Sequence, residues 1–391
     1  MTTRRIDIAE RRARLALRHH LAPLARSDDI AAVAGDLLGL HATDAATVYL
    51  SALQRMRTPD LLSVDDALYT SRSLLRMLGM RRTVFVVPLD LAPIVQAAAT
   101  REIAVKERTR LVDWIGVAGI SDAGAWLDQL ERDTLAALAR RGEAFATQLS
   151  KDVPDLRRKI EVGSGKWTTT VAMSTRVLFL LAADGRIVRG RPRGTWISTQ
   201  YAWSPLTSWI DGALPELAVD EARAELVRRW LGSFGPATVD DVQWWTGWTK
   251  GQATKALAQI PTAAVDLEDQ AGIVLADDVE AVAAPASWAA LLPALDPTAM
   301  GWKARDWYLG PHRAPLFDRS GNIGPSIWWD GRIVGGWAQR PDGEIAVRML
   351  EDVGADATAA VEAQAARVAC WLGEMRFTPR FRTPLEKELT A

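Results

Sequence analysis

The chain has 391 residues, a formal net charge of −1 and one cysteine. That length allows several domains and a sizeable core, while near-neutrality excludes a protein that coats DNA through overall basicity. A single cysteine, Cys370, excludes intrachain disulfides and Cys-rich zinc sites, and its place in an amphipathic stretch points to a buried inert thiol.

The first ten residues are charged, with no apolar signal region, and no run reaches a membrane span, so the expectation is a soluble, cytoplasmic protein without a membrane partner. Residues 6–21 read as a basic helix. Ser27-Asp28 caps a helix over 29–38 that ends at Gly39. Residues 40–43 are an extended link, and Thr43-Asp44 can cap a third helix. A short helix over 60–69 precedes two strands, 74–77 and 83–87, around Gly79-Met80-Arg81-Arg82. Helices followed by a hairpin are the order of a winged helix.

Residues 89–114 form a helical connection, and Ser121 caps a long helix to Arg141. A short helix follows over 148–153. From Thr168 an apolar pattern at helical spacing runs through Val171, Leu178 and Ala182 to a stop at Asp184-Gly185. A strand over 186–189, a basic loop at 190–194 and an alternating strand over 195–203 make a second wing. Charge is uneven. Basic residues outnumber acidic ones over 151–200 and the reverse holds over 211–290, so one face suits a polyanion. Residues 217–232 read as a helix. Thr238 to Asp241 fits a capping box, and Thr249 opens another helix. Strands at 263–267 and 272–276 flank the acidic Glu268-Asp269-Gln270, a third wing that would repel phosphate and is read as structural. From Leu291 short strands replace helices: Trp307-Tyr308-Leu309, 326–329, 332–337 and 345–350, with Asp330-Gly331 and Asp342-Gly343 as hairpin turns. Residues 356–373 close the chain as an amphipathic helix.

The expected fold is α+β, mainly α: three tandem winged helix-turn-helix domains (1–115, 116–212, 213–290), then a small β-barrel with a terminal helix (291–391). Arg189, Arg191 and Arg193, at alternate positions along the second hairpin, are candidate phosphate contacts. Arg81 and Arg82 in the first wing are open to phosphate contact or ordinary surface charge, and Ser174 and Arg176 to a groove or solvent. Trp244, Trp245 and Trp248 read as core. Lys303, Arg305 and His312 are further surface candidates. No phosphate loop, metal-ligand spacing or nucleophile motif is present, so neither cofactor nor metal is expected.

The ordered segments Gly39 to Asp44, Gly79 to Thr83, Ser174 to Leu178, Leu292 to Pro297 and Trp329 to Gly335 resemble the winged-helix family that includes the AlkZ/YcaQ-like DNA glycosylases. The resemblance spans nearly the whole chain. It implies a concave channel for double-stranded DNA, excision of N-alkylated purines and, in some members, unhooking of interstrand crosslinks. It places His41 and Thr43 at the two catalytic positions, where characterised members are similar to Gln-x-Gln or Gln-x-Asp. In an extended segment these two side chains share a side. A neutral His41 could accept a proton from water while the Thr43 hydroxyl orients it. Structurally, His41 is equally readable as a hydrogen-bonded histidine beside a helix start, and Thr43 as a helix cap. Two other readings stand beside the glycosylase: a non-catalytic DNA-binding regulator or damage sensor, and winged helices serving protein contacts. Tandem winged helices make a monomer sufficient.

Overall fold

The computed structural model describes residues 3–163, 168–268 and 270–391. A short strand β1 (Arg4–Arg5) and helix α1 (Ile8–Arg18) lead into the first repeat: α2 (Ile30–Asp36), β2 (Leu40–His41), α3 (Ala45–Leu53), α4 (Leu61–Tyr69) and the hairpin β3 (Leu74–Gly79) and β4 (Thr83–Pro88). Each of its helices begins just after an aspartate. The carboxylates of Asp29, Asp44 and Asp60 accept from the N–H groups of Ala32, Ala46 and Leu62. These donors would otherwise have no partner. The sheet order is β2–β4–β3.

A helical connection, α5 (Ala92–Val95), a widened π turn at 96–100 and α6 (Arg101–Val117), leads to the second repeat. It contains α7 (Ala123–Arg141), β5 (Ala144–Phe145), α8 (Ala146–Asp152), an inserted hairpin β6 (Lys159–Val162) and β7 (Thr169–Ala172), α9 (Met173–Ala183), β8 (Ile187–Pro192) and β9 (Tyr201–Pro205), with sheet order β5–β9–β8. After α10 (Leu206–Trp209) the order recurs as α11 (Val219–Phe234), a single bridge Ala237–Ile273, α12 (Val239–Thr246), α13 (Lys250–Leu257), β10 (Thr262–Asp266) and β11 (Ala271–Leu275). β1 pairs with β10 in parallel, so the start of the chain completes the sheet of the third repeat.

The last segment holds β12 (Ala289–Leu292), α14 (Asp306–Leu309), α15 (Arg313–Leu316), β13 (Ser326–Trp329), β14 (Arg332–Gln339), β15 (Ile345–Met349), α16 (Gly354–Leu372) and α17 (Pro384–Leu389). Its strands form one antiparallel sheet in chain order, with α16 packed on one face through Val361, Val368 and Leu372. This corrects the expected barrel. Among the described residues β12 and β15 remain edges, and helices rather than closure cover the sheet.

Other expectations change as well. Residues 169–172 are a strand rather than the start of α9, because the β-branched Thr169, Thr170 and Val171 pair with β6. The segment 190–192 belongs to β8, and the loop runs over 193–200. Trp307-Tyr308-Leu309 is one helical turn, fixed by aromatic packing of Tyr308 on Trp328 at 5.3 Å. Cys370 is exposed rather than buried. The expected acidic turn of the third hairpin includes Asp269, which lies outside the described residues.

One hydrophobic core runs through the first repeat, the third repeat and the C-terminal segment, while the second repeat has its own. At the centre of the shared core, Arg55 and Asp296 form an ion pair of 2.7 Å at 0% side-chain exposure. Ser51, Thr298 and the His19 carbonyl satisfy their remaining hydrogen-bonding groups. Complete pairing of this kind is what lets a buried charge persist.

Candidate functional site

The link before His41 is fixed by Gly39. Its φ is +111°, and a Cβ there would lie 2.9 Å from Val87 Cγ1. Only glycine tolerates both constraints, so the chain turns tightly off α2 into β2. His41 then pairs with Phe85 in register, and the Ala42 N–H donates to the Val84 carbonyl. On the other side Arg76 Nη1 donates to the Ala42 carbonyl at 3.3 Å.

His41 is 5% exposed, with its ring edge-on to Phe85 at 5.5 Å. Its Nδ1 has no hydrogen-bond partner among the described residues. Burial pushes the imidazole down to about 3, and the nearby Arg81 guanidinium adds to the shift. The ring is therefore neutral at ordinary pH: a polar group with one donor and one acceptor, like an amide, and a very weak base. Thr43 is half-buried and does not cap α3. Asp44 does so at 3.1 Å, and its other oxygen accepts from the Arg380 N–H at 2.9 Å. The Thr43 hydroxyl makes no hydrogen bond among the described residues.

The arginines fall into three groups. Arg81 and Arg82 occupy consecutive left-handed positions, with φ of +53° and +60°, at the β3–β4 tip. Arg81 lies over the Trp244 ring at 4.0 Å, and Arg305 shares that ring at 4.6 Å. Burial lowers Arg81 to about 10, with repulsion from Arg305 second. Two guanidiniums thus sit on one indole, and the charge of one of them, Arg81, reaches His41, so Trp244 is a platform as well as packing. Trp245 and Trp248 are core. Arg82 instead pairs with Glu107 at 2.8 Å, as does Arg110 at 2.7 Å. Arg176 stands near them over Trp114 at 5.1 Å, and Ser174 is half-buried in the first turn of α9. The third group is the second hairpin. Arg189 lies over Trp203 and Arg193 over Phe145, whereas Arg191 turns away to Asp65 and the Tyr69 ring. Lys303 pairs with Asp240 at 2.9 Å and His312 with Glu351 at 3.1 Å, so neither joins these groups.

Sequence reasoning missed Arg76, although an arginine inside the apolar run Leu74-Leu75-Arg76-Met77-Leu78 is a readable signal. It also missed Arg110, which only the fold brings to Arg82 and Arg176. Among the described residues no group of three or more His, Cys, Asp or Glu side chains could hold a metal ion. Among the described residues no helix is long and apolar enough to cross a membrane.

A family model described as DNA glycosylase AlkZ-like matches residues 34–371. Over 362 residues the chain is 27% identical to an interstrand DNA cross-link repair glycosylase of Streptomyces sahachiroi, covering 89% of this chain and 92% of that protein. The solved structure of the Streptomyces sahachiroi DNA glycosylase AlkZ superposes with a TM-score of 0.72 at 24% identity, covering 96% of this chain and 99% of that one, a likeness of fold. A DNA mismatch repair protein MutS of Anaeromyxobacter dehalogenans is 31% identical over 206 residues, 48% of this chain but 22% of that protein.

Proposed function

Because this chain belongs to the DNA glycosylase AlkZ-like family, we propose that it hydrolyses the N-glycosidic bond of N7- or N3-alkylated purines in double-stranded DNA, bulky adducts and interstrand crosslinks included. The observation that carries this reading is the pair at the end of β2: a neutral His41 with an unpartnered Nδ1, and a Thr43 hydroxyl relieved of capping by Asp44. An N7-alkylated base is already cationic and leaves with the electron pair of the C1′–N9 bond, so it needs no acid. Water attacks C1′ of the oxocarbenium-like sugar. His41 and Thr43 hold that water, and its proton passes to solvent, since a base at about 3 does not retain it. His41 and Thr43 are thus water-positioning groups at the two positions that the family resemblance assigns to catalysis.

The helix–strand–helix–helix–hairpin order, repeated three times, supports reading 1–115, 116–212 and 213–290 as winged-helix domains and 291–391 as a sheet-and-helix module. Arg81, Arg82, Ser174, Arg176, Arg189, Arg191 and Arg193 are proposed DNA contacts, and a monomer in the cytoplasm suffices. A second reading, a DNA-binding damage sensor without turnover, is favoured by the 5% exposure of His41 and by the commitment of both Asp44 oxygens and of Asp296 to structural partners. Base release from a duplex carrying one N7-methylguanine, wild type against His41→Ala, separates the two. Release that falls sharply in the variant supports the glycosylase. Tight binding with no release from either this duplex or a bulky-adduct duplex supports the sensor.

A further inference from the structure

The second repeat contains a cavity of about 430 Å³ between α9 and the β8–β9 hairpin, within the range of small-molecule sites. Arg189, Arg193, Tyr201, Trp203, Thr175 and Gln200 line it. Two of its lining residues are arginines set against aromatic rings, Arg189 on Trp203 and Arg193 on Phe145. Arg82 and Arg191 each have a carboxylate, Glu107 and Asp65. Arg189 and Arg193 have none among the described residues, and neither makes a side-chain hydrogen bond there. Arg189 is largely withdrawn from water against the Trp203 ring at 5.1 Å. Behind it lies a second buried guanidinium, Arg76, with no carboxylate partner among the described residues, over the Tyr201 ring at 4.7 Å and close enough for the two cations to repel.

A withdrawn, unpaired cation beside another is costly unless an anion completes it. The register shift between Arg189 and Pro192 sharpens the point. A bulge re-aims a side chain, and here Arg191 reaches Asp65 while Arg189 stays at the cavity. A guanidinium stacked on an aromatic ring keeps its N–H edge available for phosphate. A bare phosphate would leave most of the volume and the aromatic wall unused. A planar base would use them, with Thr175 and Gln200 in place to meet its polar edge.

We infer that this cavity takes one unstacked nucleotide, its phosphate on Arg189 and Arg193 and its base against the Tyr201–Trp203 wall. The inference deepens the DNA-binding reading above and rests on it for the source of the nucleotide, a DNA strand rather than a free nucleotide.

The test compares three probes by fluorescence anisotropy and calorimetry: a paired duplex, the same duplex with one unpaired thymidine, and thymidine 5′-monophosphate. Stacking of one base on aromatic groups predicts that wild type prefers the bulged duplex by about tenfold. Arg189→Gln and Thr175→Trp, the second filling the cavity from an exposed position on α9, each bring the ratio of the two affinities close to one. Equal affinities in wild type overturn the inference and leave DNA binding standing. If neither duplex binds but the monophosphate does, and Arg189→Gln abolishes this, the nucleotide site stands and the DNA reading fails. If no probe binds, both fail.

Discussion

Replacing His41 by glutamine offers a quantitative test of how the strand end is built. The imidazole is shifted from its ordinary 6.5 to about 3, by burial first and Arg81 second. Below pH 6.5 the unfolded chain takes up a proton that the folded protein refuses. Stability linked to His41 is therefore fully present above pH 6.5, falls as pH drops from 6.5 towards 3, and is constant below that. Each unit is worth about 1.4 kcal/mol, so the loss is about 2 kcal/mol at pH 5 and approaches roughly 5 kcal/mol at pH 3. The amide that replaces the imidazole does not titrate. Other groups, the buried His19 among them, contribute alike to both proteins and cancel in the difference. Urea unfolding of wild type and His41→Gln at pH 7.5 and pH 5 reads the effect: the stability of wild type relative to the variant should fall by about 2 kcal/mol between the two. Parallel pH dependence would show that His41 titrates normally and would refute the burial argument, together with the neutral-imidazole chemistry built on it.

Arg55→Met strands the Asp296 carboxylate at 0% exposure and should cost about 3–5 kcal/mol in chemical unfolding, with much of it recovered in Arg55→Met/Asp296→Leu. Recovery failing in the double variant would point to Ser51 and Thr298 as the larger contributors. Gly39→Ala forces an alanine to φ of +111° against Val87 and should lose about 1–3 kcal/mol, with base release impaired beyond what the lower stability explains. Arg176→Ala should reduce the slope of log affinity against log salt by about one phosphate contact on every duplex, sequence and lesion regardless; an unchanged slope removes Arg176 from the interface.

Local chemistry made much of the fold readable. Thr238 announces the helix it caps because the capped N–H, that of Asp241, lies only three residues away. Asp330-Gly331 announces its hairpin because both residues adopt positive φ, 45° and 82°. What escaped depends on distant partners. Thr169 to Ala172 continue an apolar spacing that reads as helix, yet their conformation is decided by pairing with Lys159–Val162. Trp307 and Tyr308 have the composition of a strand, but rings at Trp302 and Trp328 hold them in a helical turn. At the site, the extended link bearing His41 and Thr43 was legible in outline. The depression of His41, the sharing of Trp244 by Arg81 and Arg305, and the crowding of Arg189 by Arg76 were not, because each is set by residues distant in sequence.

The parallel pairing of β1 with β10 has a consequence for how the chain is made. Arg4 meets Val265, and in α1 Arg14 and Arg18 both grip Asp278, at 2.7 and 2.6 Å. On a ribosome adding about 5–20 residues per second, the partner of β1 emerges roughly 13–50 s after β1 itself. Through that interval this segment waits with its strand edge unpaired and Arg18 without its carboxylate, Arg14 having only Glu10 at 2.9 Å, while the second repeat can close around its own core. A segment made well before its partner is thus among the last to be completed, and the five arginines from Arg4 to Arg14 favour its hydration in the meantime.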